Sequence, residues 1–235
     1  MSKEKGRVIK MAFCDFMKNL REHDHLTQAQ IAEYLDVNIN TIKQIEANKI
    51  KTPSTRVLDS FCEYLNEDRL TVIHKILFRR DEMIDCDDEY TINQANVLSR
   101  YMSYLYLEGW NIDEAPITYH TKDIGDLTYA GQLTKKREPN NKIVVGSISA
   151  SFDKNIDSIS NDEAIYYITS SMAAFFCIDE ISLKGIHIVF DAEDQNQTNL
   201  FKIFKNLNIN KIPFNFQMVL FHSSEGKILD TKELK

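Results

Sequence analysis

The apolar positions between Leu26 and Glu46 recur at helical spacing, not at the two-residue spacing of a strand. In LTQAQIAEYLDVNINTIKQIE, Ile31, Ala32 and Leu35 fall on one side of a first short helix, and Ile42 and Ile45 do the same in a second. Leu26 leads in, and Val37 plugs the corner between the two. Thr27 stands three residues before Gln30, the spacing of a capping box, and Asn38 is placed to cap the second helix by accepting an early backbone N–H. Two helices this short cannot bury a core between themselves, so their flanks must supply one. Upstream, the pattern predicts a helix over 8–21 with Met11, Phe13, Phe16, Met17 and Leu20 inward. Downstream, the basic loop ANKIKTPS leads to a fourth helix opened by Pro53, whose missing N–H costs nothing in a first turn. Val57, Leu58, Phe61, Cys62 and Leu65 form its core stripe. The residues NED open a fifth helix with Leu70, Ile73, Ile76 and Leu77 inward, and Arg79 and Arg80 at its end would complement the macrodipole.

Beyond residue 80 the pattern changes. DEMIDCDD, residues 81–88, is acidic and aperiodic and reads as a linker. TINQANVLSRYMSYLYLEGW reads as an amphipathic helix carrying Val97, Leu98, Tyr101, Met102 and Leu105, ended by Gly109. Tyr101, Tyr104, Tyr106 and Trp110 could line a ligand pocket, but aromatic residues at this spacing read first as core. EAPITYH, DLTYAGQL and KIVVGSISASF follow as strands, with KREPNN a turn. DEAIYYITSSMAAFFCI is a helix with Ile165, Ile168, Met172 and Phe175 or Phe176 on one face. KGIHIVFDAE is a buried-type strand, TNLFKIFKNL a helix and FNFQMVLFH a last strand. The order α-β-β-β-α-β-α-β implies a mixed sheet with helices packed on it. The chain is therefore expected to be multidomain: an all-α five-helix domain over 1–80, then an α/β domain over 89–235.

The N-terminal pattern also resembles a known family. L-T-Q-x-x-I-A, an apolar corner, T-I-x-x-I-E, then Pro53 and a further apolar helix are similar to the helix-turn-helix domain of the Xre/Cro/CI repressors. The resemblance covers about residues 9 to 78. Asp36 and Asn48 stand where that family has Gly, and they are the residue types that best tolerate a left-handed backbone. The resemblance implies double-stranded operator DNA as the partner and a recognition helix in the major groove. Thr27 and Gln28 open the first helix of the pair, where side chain and backbone N–H can meet a phosphate. Asn38, Ile39, Asn40, Thr41, Lys43 and Gln44 begin the recognition helix. Gln44 and Asn40 could read adenine, and Lys43 could reach guanine or phosphate. Asn48, Lys49 and Lys51 would grip the backbone.

Charge changes the picture in one respect. The chain of 235 residues has a formal net charge of -7, which by itself disfavours a polyanionic partner. Its distribution reverses that inference. Residues 1–80 hold 14 Lys+Arg against 11 Asp+Glu, and residues 81–235 hold 14 against 24. The acidic part should stand away from DNA. A homodimer joined through 89–235, which would also receive an inducing peptide, protein or small molecule, fits that division.

Candidate chemistry adds little. Cys14, Cys62, Cys86 and Cys177 form no CxxC pair and read as incidental thiols in a reducing cytoplasm. His23 and His25 lie in a polar loop with no further ligand near in sequence. No cofactor, metal or membrane partner is expected, because no phosphate-binding loop, HExxH or apolar span occurs. The C-terminal order weakly resembles the PD-(D/E)xK nuclease fold, with Asp126 as the first metal-binding carboxylate. The next strand, IVVGSIS, lacks the acidic residue and Lys that such a site needs, so no nuclease activity is expected. A LexA-like self-cleaving dyad of Ser147 and Lys184, with Ala130-Gly131 as the cleaved bond, is disfavoured. That bond lies too close to Ser147, and the run between the dyad residues reads as helix. An antitoxin-like adaptor that uses the helix pair to bind protein is the alternative from another functional class. The chain is expected not to be an enzyme.

Overall fold

The computed structural model describes residues 8–80, 89–113, 117–121, 125–148, 160, 162, 185–207 and 215–234. The chain divides into two compact units, Ile9–Arg80 and a second made chiefly of the residues after it.

The first unit holds α1 (Phe13–His23), α2 (Gln28–Tyr34), α3 (Ile39–Glu46), α4 (Thr55–Leu65) and α5 (Arg69–Leu77). The strands β1 (Val8–Lys10) and β2 (Phe78–Arg80) form a two-stranded sheet. Two expectations are corrected here. The first helix begins at Phe13, not at residue 8, because Val8–Lys10 is drawn into strand pairing and the Met11 N–H donates to Leu77 O at 2.8 Å. Arg79 and Arg80 follow α5 in β2 of that same sheet. Pro53 also sits outside its helix. Ser54 is the N-cap of α4, its hydroxyl accepting from the Val57 N–H, and Pro53 precedes it.

The core of this unit is drawn chiefly from the predicted stripes, with Cys14 and Val72 added, while Met11, Leu20, Cys62 and Leu65 are only half-buried. Phe13 and Phe16 of α1 meet Phe61 of α4, their rings lying edge-on to it at centroid distances of 6.0 and 5.5 Å, and Met17 is fully buried. Ile31, Ala32, Leu35, Ile42 and Ile45 are buried beneath the central pair, and Leu70, Val72, Ile73, Ile76 and Leu77 complete the floor. Four of the five helices are held by a side-chain cap, Thr27 for α2, Asn38 for α3, Ser54 for α4 and Asp68 for α5, while α1 starts at Ala12 without one.

The second unit is a mixed seven-stranded sheet with helices packed on it. After α6 (Glu89–Leu107) come β3 (Trp110–Ile112), β4 (Ile117–Thr121), β5 (Gly125–Lys135), β6 (Glu138–Ile148), β7 (Gly185–Asp191), α7 (Gln195–Asn206), β8 (Phe216–His222) and β9 (Lys227–Leu234). The strand order is β3-β5-β6-β7-β8-β9, with β4 also on β5. β6, β7 and β8 run parallel, and the outer pairings are antiparallel. Ile143, Val144, Val145, Ile186, Ile188, Val189 and Phe190 are buried, the continuous apolar run expected of parallel strands covered on both faces. The Tyr101 and Tyr104 rings of α6 lie against Phe221, and Phe201 and Phe204 of α7 lie against Phe190. Gly109, at φ 89, turns the chain from α6 into β3.

Three strand expectations are corrected. KREPNN is not a turn: only Lys136 and Arg137 turn, and β6 starts at Glu138. Pro139 is tolerated because the register jumps there, from Thr134↔Lys142 to Lys135↔Glu138, so that 139–141 bulge out of the ladder. FNFQMVLFH is not the last strand, since β9 follows it, and β3 was not foreseen. Both are edge strands, β9 with charged residues along it and β3 only three residues long, which is why apolar alternation misses them. The linker at 81–88 and, but for its first residue, the helix expected over 162–178 lie outside the described residues.

Candidate nucleic-acid interface

The α2–α3 pair is built by local rules. Thr27 Oγ1 accepts the Gln30 N–H at 3.3 Å, and Gln30 Oε1 accepts the Thr27 N–H at 2.9 Å, the reciprocal capping box. The corner turns at Asp36, in the left-handed region at φ 46, and the Val37 N–H returns to Ala32 O at 2.9 Å. Asn38 Oδ1 accepts the Asn40 N–H at 2.8 Å and starts α3. The far end of α3 closes at Asn48, φ 57, with the Lys49 N–H donating to Gln44 O at 2.9 Å. The two positions that depart from glycine in the resemblance are thus both left-handed, as their residue types allow.

With Ile42 and Ile45 inward, α3 presents Asn40, Lys43, Gln44 and Ala47 to solvent, one stripe at i, i+3, i+4, i+7. Ile39 heads this face, 36% exposed, and Thr41 is half-buried at its side. Asn48, Lys49 and Lys51 are exposed in the loop that follows. Arg56, Arg69 and Lys75 are committed to Asp36, Asp59 and Glu67, at 3.2, 2.6 and 2.5 Å. Lys43, Lys49 and Lys51, by contrast, make no ion pair among the described residues, so positive charge is left available along α3 and its exit loop.

A family model described as a helix-turn-helix domain matches residues 15–77. The N-terminal unit is a helix-turn-helix domain. Comparison with curated proteins and with solved structures finds no match. The nuclease-like resemblance of the C-terminal unit gains no support from them.

Within the helix-turn-helix domain, one group was missed by the sequence reading. Glu46, at the end of α3 with its side chain only 7% exposed, accepts from Arg21 Nε at 2.7 Å and from Gln28 Nε2 at 2.9 Å. Arg21 Nη1 also donates to Leu26 O at 3.1 Å. Burial pushes the Glu46 carboxyl up, but the hydrogen bonds from Arg21 and Gln28 and the guanidinium charge outweigh it and hold it below the ordinary carboxylate range. α1, α2 and α3 are thereby locked at one point. The signal in the sequence was Glu46 itself, an acid beside the inward Ile45. Gln28 is half-buried and spends its amide N–H on this carboxylate, leaving its own carbonyl and backbone N–H for any outside partner. The hydroxyl of Thr27 is likewise engaged with Gln30, Oγ1 to Oε1 at 2.9 Å.

His23 is exposed and 2.8 Å from Asp24 Oδ1. Ser147 is buried in β6, while Lys184 and the side chain of Asp126 lie outside the described residues. No helix among the described residues is long and apolar enough to cross a membrane.

Proposed function

We propose that this DNA-binding helix-turn-helix protein is a transcriptional regulator, a repressor of the Xre/Cro/CI type of phage or mobile-element character, that grips operator DNA as a homodimer in the cytoplasm. The single observation that carries the reading is the stripe of Asn40, Lys43, Gln44 and Ala47 on the outer face of α3, held out by a buried inner face and by the Arg21–Glu46–Gln28 lock. Amide side chains at Asn40 and Gln44 suit two-bond contacts to adenine, and Ile39 suits the thymine methyl. Lys43, Lys49 and Lys51 supply the charge that displaces counterions from phosphates. Thr27 and Gln28 put the N-terminus of α2 at a phosphate, and Asn38 and Thr41 flank the groove side of α3.

One such domain meets only one half-site, so two copies must be held about 34 Å apart on successive turns. The C-terminal unit is the part assigned to dimerisation and to receiving a signal, with no catalytic role. The test is genome-wide recovery of bound DNA, followed by titration on the protein's own upstream region across salt. A specific site whose affinity falls steeply with salt is the expected result. Salt-insensitive binding without sequence preference would instead favour the protein-binding adaptor.

A further inference from the structure

The α2–α3 pair carries five side-chain amides, and three of them are already committed inside the protein. Gln28 donates to Glu46, Gln30 accepts the Thr27 N–H, and Asn38 accepts the Asn40 N–H. Asn40 and Gln44 are exposed, and neither side chain makes a hydrogen bond among the described residues. Each therefore offers both ends of its amide, an oxygen that accepts and an N–H that donates.

The rest of the outer face narrows what these two amides can meet. α3 has no Arg, and its carboxylate, Glu46, is turned to Arg21 and Gln28. Lys43 is the cation of the face, and Ile39 puts an apolar side chain at its head. In the major groove a free amide matches adenine: N6–H donates to the amide oxygen, and N7 accepts from the amide N–H. Residues four apart on a helix have Cβ atoms about 5–6 Å from each other. Successive bases rise about 3.4 Å along a strand, so Asn40 and Gln44 address positions one or two steps apart.

The N6 amino group of adenine has two hydrogens. One is held in the pairing with thymine, and the other is presented in the groove. A methyl group on N6 takes the place of that second hydrogen. The amide oxygen then loses its donor and meets a carbon, while the charge of the DNA is unchanged.

We propose that Asn40 and Gln44 make operator binding sensitive to adenine N6-methylation: the protein holds the unmodified site and releases the methylated one. This rests on the DNA-reading role given above and adds the chemical mark to which that role responds.

The site recovered by genome-wide binding is synthesised unmodified and with N6-methyladenine at one adenine at a time. Full-length protein is titrated on each duplex and on random DNA carrying the same mark. Methylation of a read adenine should weaken specific binding by roughly fivefold or more, the low end of what a two-bond base contact contributes. The salt dependence and the affinity for random DNA should not move, because no phosphate contact is touched. In Gln44→Ala the penalty at one adenine should vanish while that at another persists, and Asn40→Ala should do the reverse. 7-Deazaadenine, which removes the N7 acceptor and leaves N6 bare, should weaken wild type at the same positions. A specific operator indifferent to methylation at every adenine, or a penalty as large in both variants as in wild type, would overturn the inference and leave the DNA-reading role standing. Failure to recover any specific site would remove both.

Discussion

Arg21 and Glu46, 25 positions apart in the chain, meet at 2.7 Å where α1 crosses the end of α3. The carboxylate is nearly buried and the guanidinium keeps about a fifth of its exposure. Arg21→Ala should destabilise the helix-turn-helix domain by about 2–3 kcal/mol, somewhat less than the ~3–5 of a fully buried pair, because it strands Glu46 without its strongest partner. Urea unfolding of the single variant and of Glu46→Ala measures this. A loss below about 0.5 kcal/mol for both would show the pair to be ornamental.

The same carboxylate sets an acid limit. Folded Glu46 releases its proton more readily than the unfolded residue does, so the folded state binds fewer protons as pH falls. Its contribution is complete above the unfolded value near 4.5 and is lost as pH drops through the lower folded value. Glu46→Gln should therefore be less stable than wild type at pH 7, and the gap should narrow as pH falls below 4.5 and through the lowered folded value. Parallel stability curves at pH 7 and below pH 4.5 would contradict the assignment.

Base reading and backbone gripping should separate by variant. Gln44→Ala is expected to cost about 1–3 kcal/mol on the operator and almost nothing on random DNA. Lys49→Ala should weaken both alike and reduce the salt slope by about one ion. Equal losses on operator and random DNA for Gln44→Ala would remove it from the groove.

Asn48 holds a left-handed backbone at φ 57. Asn48→Gly should leave stability unchanged or raise it by up to about 1 kcal/mol, and Asn48→Val should lower it by about 1–2, since a β-branched side chain clashes there. Thermal melts of the two variants decide it, and a Val variant as stable as wild type would mean the loop is not held in this conformation.

No cleavage is expected from the C-terminal unit. With Mg²⁺ or Mn²⁺ the protein should leave DNA intact, and mild alkaline incubation should leave the chain whole. Metal-dependent cutting abolished by Asp126→Ala, or a break at Ala130-Gly131 lost in Ser147→Ala, would restore an enzymatic reading.

Much of the helix-turn-helix domain was legible in the sequence because its determinants are local. Caps at Thr27 and Asn38, inward Ile31, Leu35, Ile42 and Ile45, and the left-handed corners at Asp36 and Asn48 each depend on residues within about one helical turn. The buried central strands of the C-terminal unit were legible for the same reason, as continuous apolar runs. Only the tertiary structure decided the rest. Pairing with Phe78–Arg80 turned Val8–Lys10 from helix to strand, and the charged β9 became a strand because β8 offered it an edge. The Arg21–Glu46 contact joins side chains from separate elements. Periodicity says which face a residue takes within its own helix or strand, but the register and packing that bring two such faces together are set by the whole chain.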